Sequence, residues 1–291
     1  MTGLCDEVRE TCARIAAGAQ WVSIDLDALG QLEPGPPPAL DPERHYLEGS
    51  EADVAMYMLV VDAVNFGSGW FPTLRKRPLH SGYFTVAASI ADRFRAHGAW
   101  TPAQLRAMRT DEVAGVVGQR RDHELMALYA QALRSLGAFL GEGGALDVID
   151  QAGGSAERLA GQLAAGMALF ADRGFYKRAQ IVPSDLALAA VATFADLHRL
   201  TIFADNVVPH VLRCDGVLRY DDGLAAHIDA GRALRPGQQE REIRACAVHA
   251  CELIGQRAQT TARELDNWLW NRGQAAEYKA RPRHRCRTVY Y

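Results

Sequence analysis

The chain has 291 residues, 48% of them hydrophobic and 23% charged, with a net charge of −3. That is enough apolar material for a sizeable core, and the charge excludes a sequence-independent nucleic-acid binder, which is normally strongly basic. A local basic patch for a small anion stays open. No stretch approaches the roughly 18 uncharged apolar residues of a membrane span. Asp6, Glu7 and Glu10, with no continuous apolar run, argue against a signal peptide. The six cysteines form no C-x-x-C pair, so the expected compartment is the reducing cytoplasm.

The first helix is predicted over Asp6–Ala17 and stops at Gly18. Trp21–Leu29 mixes β-branched residues with turn formers and reads as a short extended piece. Gly30–Glu43, rich in Pro and Gly, reads as loop. Helical spacing returns over Glu51–Asn65, where Val54, Met58, Val61 and Asn65 share a face. Phe66–Pro72 (FGSGWFP) breaks that helix, and LRKRP follows as a basic turn. Gly82–His97 is predicted helical. Trp100–Gly118 divides into two short helices, the first entered through an N-cap at Thr101 and a proline at Pro102. Asp122–Leu140 and Ala145–Ala152 read as helices, and Ser155 caps the one after them. Ser184–Leu197 and Glu240–Gln259 are also predicted helical. Thr261–Trp270 opens with a capping box between Thr261 and Glu264. The tail, RPRHRCRTVYY, is expected to end as a short strand. The sum is about ten helices, few strands, no repeat period and no linker that forces a split. The expectation is an all-α, mostly helical single domain over residues 1–291.

Four clusters set charged or amide groups beside aromatics. They are His45 with Asn65, Phe66 and Trp70; FYKRAQ, with Tyr176, Lys177, Arg178 and Gln180; FADNVVPH, with Asp205, Asn206 and His210; and ELDNWLWNRG, with Asp266, Asn267 and Asn271. Isolated charges in apolar runs are costly unless paired or used. Lys177 reads either as a site cation or as a snorkelling surface lysine, and spacing alone favours the latter. Asp205, between two apolar runs, is a buried cap or a site residue. Asp266 lies about 100° from Leu265, at the edge of a stripe of Leu265, Trp268 and Leu269. It reads as a half-buried pocket carboxylate or as a solvated residue near a helix start, and spacing favours the second. Phe66 is a stacking platform or, on spacing, more often a core plug.

His45, His210 and His249 are too scattered for a metal site, and no H-E-x-x-H, P-loop or nucleophile elbow occurs. Gly153–Gly161 (GGSAERLAG) has the form of a helix-hairpin-helix turn that would aim amides at an anion, but an ordinary helical connection reads better.

Together these strings resemble the queuosine salvage proteins, the queuosine 5′-phosphate N-glycosylase/hydrolase family. The resemblance rests on the run from Tyr57 through Asn65-Phe66, on FYKRAQI, on LTIFADNVVP with VLRYDD behind it, on LDNWLWNRG, and on PRHRCRTVYY, in that order over nearly the whole chain. One departure is the NFGSGWFP string, where glycines and Ser68 replace the bulky residues of the family pattern. The resemblance implies an all-helical domain distantly similar to helix-hairpin-helix DNA glycosylases. It implies hydrolysis of queuosine 5′-monophosphate to queuine and ribose 5-phosphate, with no metal or organic cofactor. Lys177, Asp205 and Asp266 carry over as site residues, with His45 and Phe66 at the base or diol end.

Cleaving the N-glycosidic bond builds oxocarbenium character on the ribose, which a carboxylate can stabilise, attack, or supply with an activated water. Asp266 is assigned to the sugar carbon and Asp205 to the base edge or ribose hydroxyls, an order that is open to exchange. Lys177 fits a phosphate or ribose contact with Tyr176 as companion. Asn206 joins the substrate-binding set, and Arg283 and Arg285 are further phosphate candidates. The expected partner is a small nucleotide, with no stable nucleic-acid or membrane binding. The rival readings are a DNA or RNA base glycosylase and a non-catalytic nucleotide- or tRNA-binding protein. Sequence leaves the oligomeric state and the ranking of nucleoside against nucleotide open.

Overall fold

The computed structural model describes residues 3–291. In chain order the elements are α1 (Leu4–Ala17), β1 (Val22–Ile24), α2 (Leu26–Gln31), α3 (Glu51–Ala63), α4 (Gly82–His97), α5 (Pro102–Arg106), α6 (Thr110–Val117), α7 (Glu124–Leu140) and α8 (Ala145–Gln151). There follow α9 (Ala156–Gly166), α10 (Lys177–Leu188), α11 (Val208–Cys214), β2 (Leu218–Tyr220), α12 (Asp222–Asp229), α13 (Gln238–Ala258), α14 (Ala262–Arg272) and α15 (Ala276–Lys279). The architecture is mostly helical, as expected. The one sheet among the described residues pairs β1 with β2 antiparallel, Val22 opposite Tyr220 and Ile24 opposite Leu218. None of the described helices is long and apolar enough to cross a membrane.

Two apolar cores organise the chain. The first surrounds α3, which is buried on every side from Val54 to Ala63 and packs against α4, α7, α8 and α10. A helix apolar all round belongs in the centre of a bundle. The second surrounds α13, which carries α1 along its length and also packs on α11, α14 and β1. Leu4 and Tyr176 pack against both cores. The N-terminus of α10 therefore stands at their junction.

Local signals hold where side chains close their own helices. Ser81 accepts from the Phe84 N–H to start α4. Capping boxes open α5 at Thr101 and α14 at Thr261. Ser155 caps α9 as expected. In the Gly153-Gly154 turn both glycines are left-handed, with φ of 57° and 72°. The amides of Ala156 and Glu157 behind it are occupied by the Asp196 carboxylate, at 2.6 and 3.3 Å. The anion at this helix start is a side chain of the protein itself, so the turn is a structural connection.

Three expectations are corrected. Ser184–Leu197 is not one helix: α10 begins earlier, at Lys177, and ends at Leu188. FYKRAQ is thus a helix start, which its polar content disguised. The tail forms no strand; only an isolated parallel bridge joins Cys286 to Leu234. Its residues are held instead by the glycine turn after α3. Gly67 donates its N–H to the Tyr291 carbonyl at 3.0 Å, and a Cβ on Gly69 would meet the Cys286 carbonyl oxygen at 2.4 Å. The small residues in FGSGWFP therefore make room for the C-terminal strap. Finally, α2, α11, α12, α15 and β2 lay in stretches assigned to loop or extended chain, or left unassigned. Each is short, and its apolar pattern covers too few turns to be read.

Candidate active site

Two cavities open from the junction of the cores and share five residues: Asn65, Tyr83, Lys177, Asp205 and Trp270. The smaller, about 290 Å³, is acidic, and its wall includes Asp41, Asp185, Asp205 and Asp266. The larger, about 620 Å³, is basic, with Asp205 as its one side-chain carboxylate among the described residues.

Lys177 is the first residue of α10. The preceding Tyr176 is left-handed, φ 49° and ψ 39°, and turns the chain so that the lysine enters the protein. Lys177 is 4% exposed, and its Nζ donates to the Asn65 carbonyl at 3.0 Å and to Asn65 Oδ1 at 2.9 Å. Burial lowers its pKa to about 8; the charge of Asp205, foremost among the opposing groups, pulls the other way, so the ammonium stays charged at neutral pH.

Asp205 ends the buried extended run Thr201–Ala204, whose start is tied by the Thr201 N–H to Gln180 Oε1 at 2.9 Å. Its Oδ1 accepts from the N–H groups of Val207 and Val208, at 2.6 and 3.2 Å, at the start of α11. Asp205, partly buried, thus ties down a helix start and lines both cavities.

Asp266 is buried, and its Oδ1 accepts from the Phe203 N–H at 2.8 Å. Burial, then the neighbouring Asp205 charge, raise its pKa to about 8, so it is a neutral acid at pH 7. The solvated reading of Asp266 is overturned. The buried stripe of α14 is Ala262, Leu265, Asp266 and Leu269; Trp268 is only half-buried and lies against Arg272.

Behind the Asp185 wall of the smaller cavity stands one more carboxyl, that of Asp62. Asp62 is fully buried and accepts from Asn65 Nδ2 at 3.5 Å. Burial, then Asp185, raise its pKa well above the ordinary value, and burial raises Asp185 to about 7. Trp270 forms an aromatic wall, edge-on to Tyr83 at 5.4 Å and to Phe84 at 5.5 Å. A buried acid, an anchored carboxylate, a buried ammonium and aromatic edges around one hollow suit bond cleavage at a sugar carrying a planar base.

A family model described as "Queuosine salvage protein" matches residues 44–291. The chain belongs to the queuosine salvage protein family. A Sphaerobacter thermophilus relative named "Queuosine 5'-phosphate N-glycosylase/hydrolase" is 34% identical, covering 98% of this chain and 97% of its own length. A Schizosaccharomyces pombe protein of the same name is 26% identical over 98% of this chain and 96% of its own. One from Mus musculus is 31% identical over about half of each, 51% and 52%.

In this queuosine salvage protein most of the residues singled out in the sequence reach the hollow. His45 lines the acidic cavity, with Nδ1 at 3.0 Å from the Asp41 carbonyl and Nε2 at 3.3 Å from the Tyr83 hydroxyl; burial lowers its pKa. Phe66 walls the basic cavity and also plugs the core, edge-on to Tyr129 at 5.1 Å. Asn206 and Arg283 line the same cavity, and Asn206 Nδ2 donates to the His284 carbonyl. Tyr176 does not reach it: its hydroxyl donates to Glu7 Oε1 at 3.0 Å, because the left-handed backbone that sends Lys177 inward sends Tyr176 away. Sequence reasoning missed Tyr83, Trp270, Asp62 and Asp185. Trp270 lies one turn after Asp266, and Lys177, Ile181, Ser184, Asp185 and Leu188 recur at helical spacing along the cavity. That spacing is visible once α10 is known to start at Lys177.

Proposed function

We propose that the chain hydrolyses the N-glycosidic bond of queuosine 5′-monophosphate, releasing queuine and ribose 5-phosphate for reuse of the base in tRNA. One observation carries this reading. Asp205, Asp266 and Lys177, distant in sequence, surround one hollow whose acidic side joins a basic side. The acidic, aromatic side takes the base and ribose, and the basic side takes the phosphate.

The protonation of Asp266 supports exchanging the two aspartates relative to the sequence-based order. Asp205, held by two backbone N–H groups, stands beside the ribose, stabilises the developing cation and accepts a proton from the attacking water. Asp266, a neutral acid, donates its proton to the departing base, whose electron pair leaves with the glycosidic bond. Water thus supplies the hydroxyl to the sugar carbon, and the acid supplies the proton to queuine. Lys177 offsets the negative charge of Asp205 and meets the ribose phosphate. His45 and Tyr83 line the base or diol end.

The site draws on both cores, which supports one domain over 1–291. Six free cysteines support a reducing, cytoplasmic setting. The mostly helical architecture is what supports a distant kinship with helix-hairpin-helix glycosylases. The test is incubation with queuosine 5′-monophosphate, queuosine and a queuosine-containing oligonucleotide, with free queuine read by mass. Release from the nucleotide is expected. Release from the oligonucleotide alone supports a nucleic-acid glycosylase, and binding with no release supports a non-catalytic module.

A further inference from the structure

The basic cavity holds more positive charge than one phosphate monoester needs. Among the described residues its wall carries Lys76, Lys279, Arg281, Arg283 and Arg285 besides Lys177, against the single side-chain carboxylate of Asp205. Arg281 is already neutralised by Asp229, at 3.0 Å. Among the described residues, no carboxylate lies within 4 Å of the charged end of Lys76, Lys279, Arg283 or Arg285. Arg283 and Lys279 lie close enough for one charge to oppose the other: burial, then the Arg283 guanidinium, lower the pKa of Lys279, and burial lowers that of Arg283. Arg283 is half-buried, whereas Lys76 and Lys279 are solvent-exposed; like charges gathered in one cavity wall repel one another and favour an anion between them. A phosphate dianion at Arg283 leaves Lys76 and Lys279 unanswered. The space agrees, since this cavity is about 620 Å³ against about 290 Å³ for the acidic one. At its rim Leu79 is fully exposed and left-handed, φ 62°, on the loop that carries Lys76 and His80.

We infer that the basic cavity has a second phosphate subsite, formed by Lys76 and Lys279, beyond the one that holds the 5′-phosphate. It favours substrates with another phosphate on the 5′ side. This rests on the proposed hydrolysis. Two sources present that chemistry: a nucleoside 5′-diphosphate, and a 5′-phosphorylated dinucleotide with queuosine at its 3′ end. In either case the bond broken is the same glycosidic bond, and the second phosphate leaves on the sugar product.

The test compares kcat/KM for queuine release from the 5′-monophosphate, the 5′-diphosphate and the 5′-phosphorylated dinucleotide. The full chain and a Lys76→Ala/Lys279→Ala double variant are used, each at low and at high salt. A gain of about tenfold over the monophosphate is expected for at least one of the two, shrinking with salt and lost in the variant. Which substrate shows the gain identifies the source. Equal or lower kcat/KM for both overturns the subsite, and so does a gain that survives in the variant. Failure to release queuine from the monophosphate itself would instead overturn the proposed hydrolysis.

Discussion

Asp266→Asn separates the chemical from the structural role of the buried acid. In the folded protein Asp266 keeps its proton up to about pH 8, whereas its ordinary value is 3.8. Between those values the unfolded chain releases a proton that the folded chain retains. Wild-type stability therefore falls as pH rises through the window, and asparagine has no proton to lose. Each pH unit is worth about 1.36 kcal/mol, so from pH 5 to 7.5 the variant should gain about 3 kcal/mol relative to wild type. Lys177 is charged in both states over this range, with a folded value of about 8. Asp185 titrates near 7 in both proteins and largely cancels in the comparison. Urea unfolding of the two proteins at both pH values measures the difference. The same gap at pH 5 and pH 7.5 would refute a neutral buried acid. Turnover in the variant should drop by about 10²–10⁴ while the nucleotide still binds, the usual range for a lost proton donor.

Three further outcomes are expected. Queuine release should decline as pH rises through about 8, where Asp266 loses its proton and Lys177 its charge; a rate flat to pH 9.5 would remove Asp266 as the acid. Arg283→Ala should raise KM for the nucleotide by about 10- to 100-fold, from about 1.5–3 kcal/mol for a charged hydrogen bond, and leave the nucleoside nearly unchanged; equal effects on both would deny it a phosphate contact. Arg244→Met should lower stability by about 3–5 kcal/mol in urea unfolding, because Asp172 and Glu240 are left buried without their shared cation. An unchanged midpoint would mean that those acids are relieved in another way.

The helices that could be read in advance are those with self-contained instructions. Gly82–His97 lies between a serine cap and a glycine, and Thr261 carries its capping partner three residues on. Asp205 and Lys177 stood out because each interrupts an apolar run, and both reach the hollow. Tyr176, expected only as the companion of Lys177, does not reach it, since adjacent side chains diverge at a left-handed turn. Asp266 was harder to judge. On a helical wheel it borders the apolar stripe, and whether that border faces water depends on what packs there.

Sequence alone determined the helical class, the caps, the family and the residue types able to cleave a glycosidic bond, because each is written in local spacing or in ordered short strings. Tertiary structure alone decided which carboxyl keeps its proton, which aromatics form the wall, and how much unpaired charge faces the basic cavity. Those properties depend on desolvation and on charges brought together from opposite ends of the chain, and no local pattern encodes either.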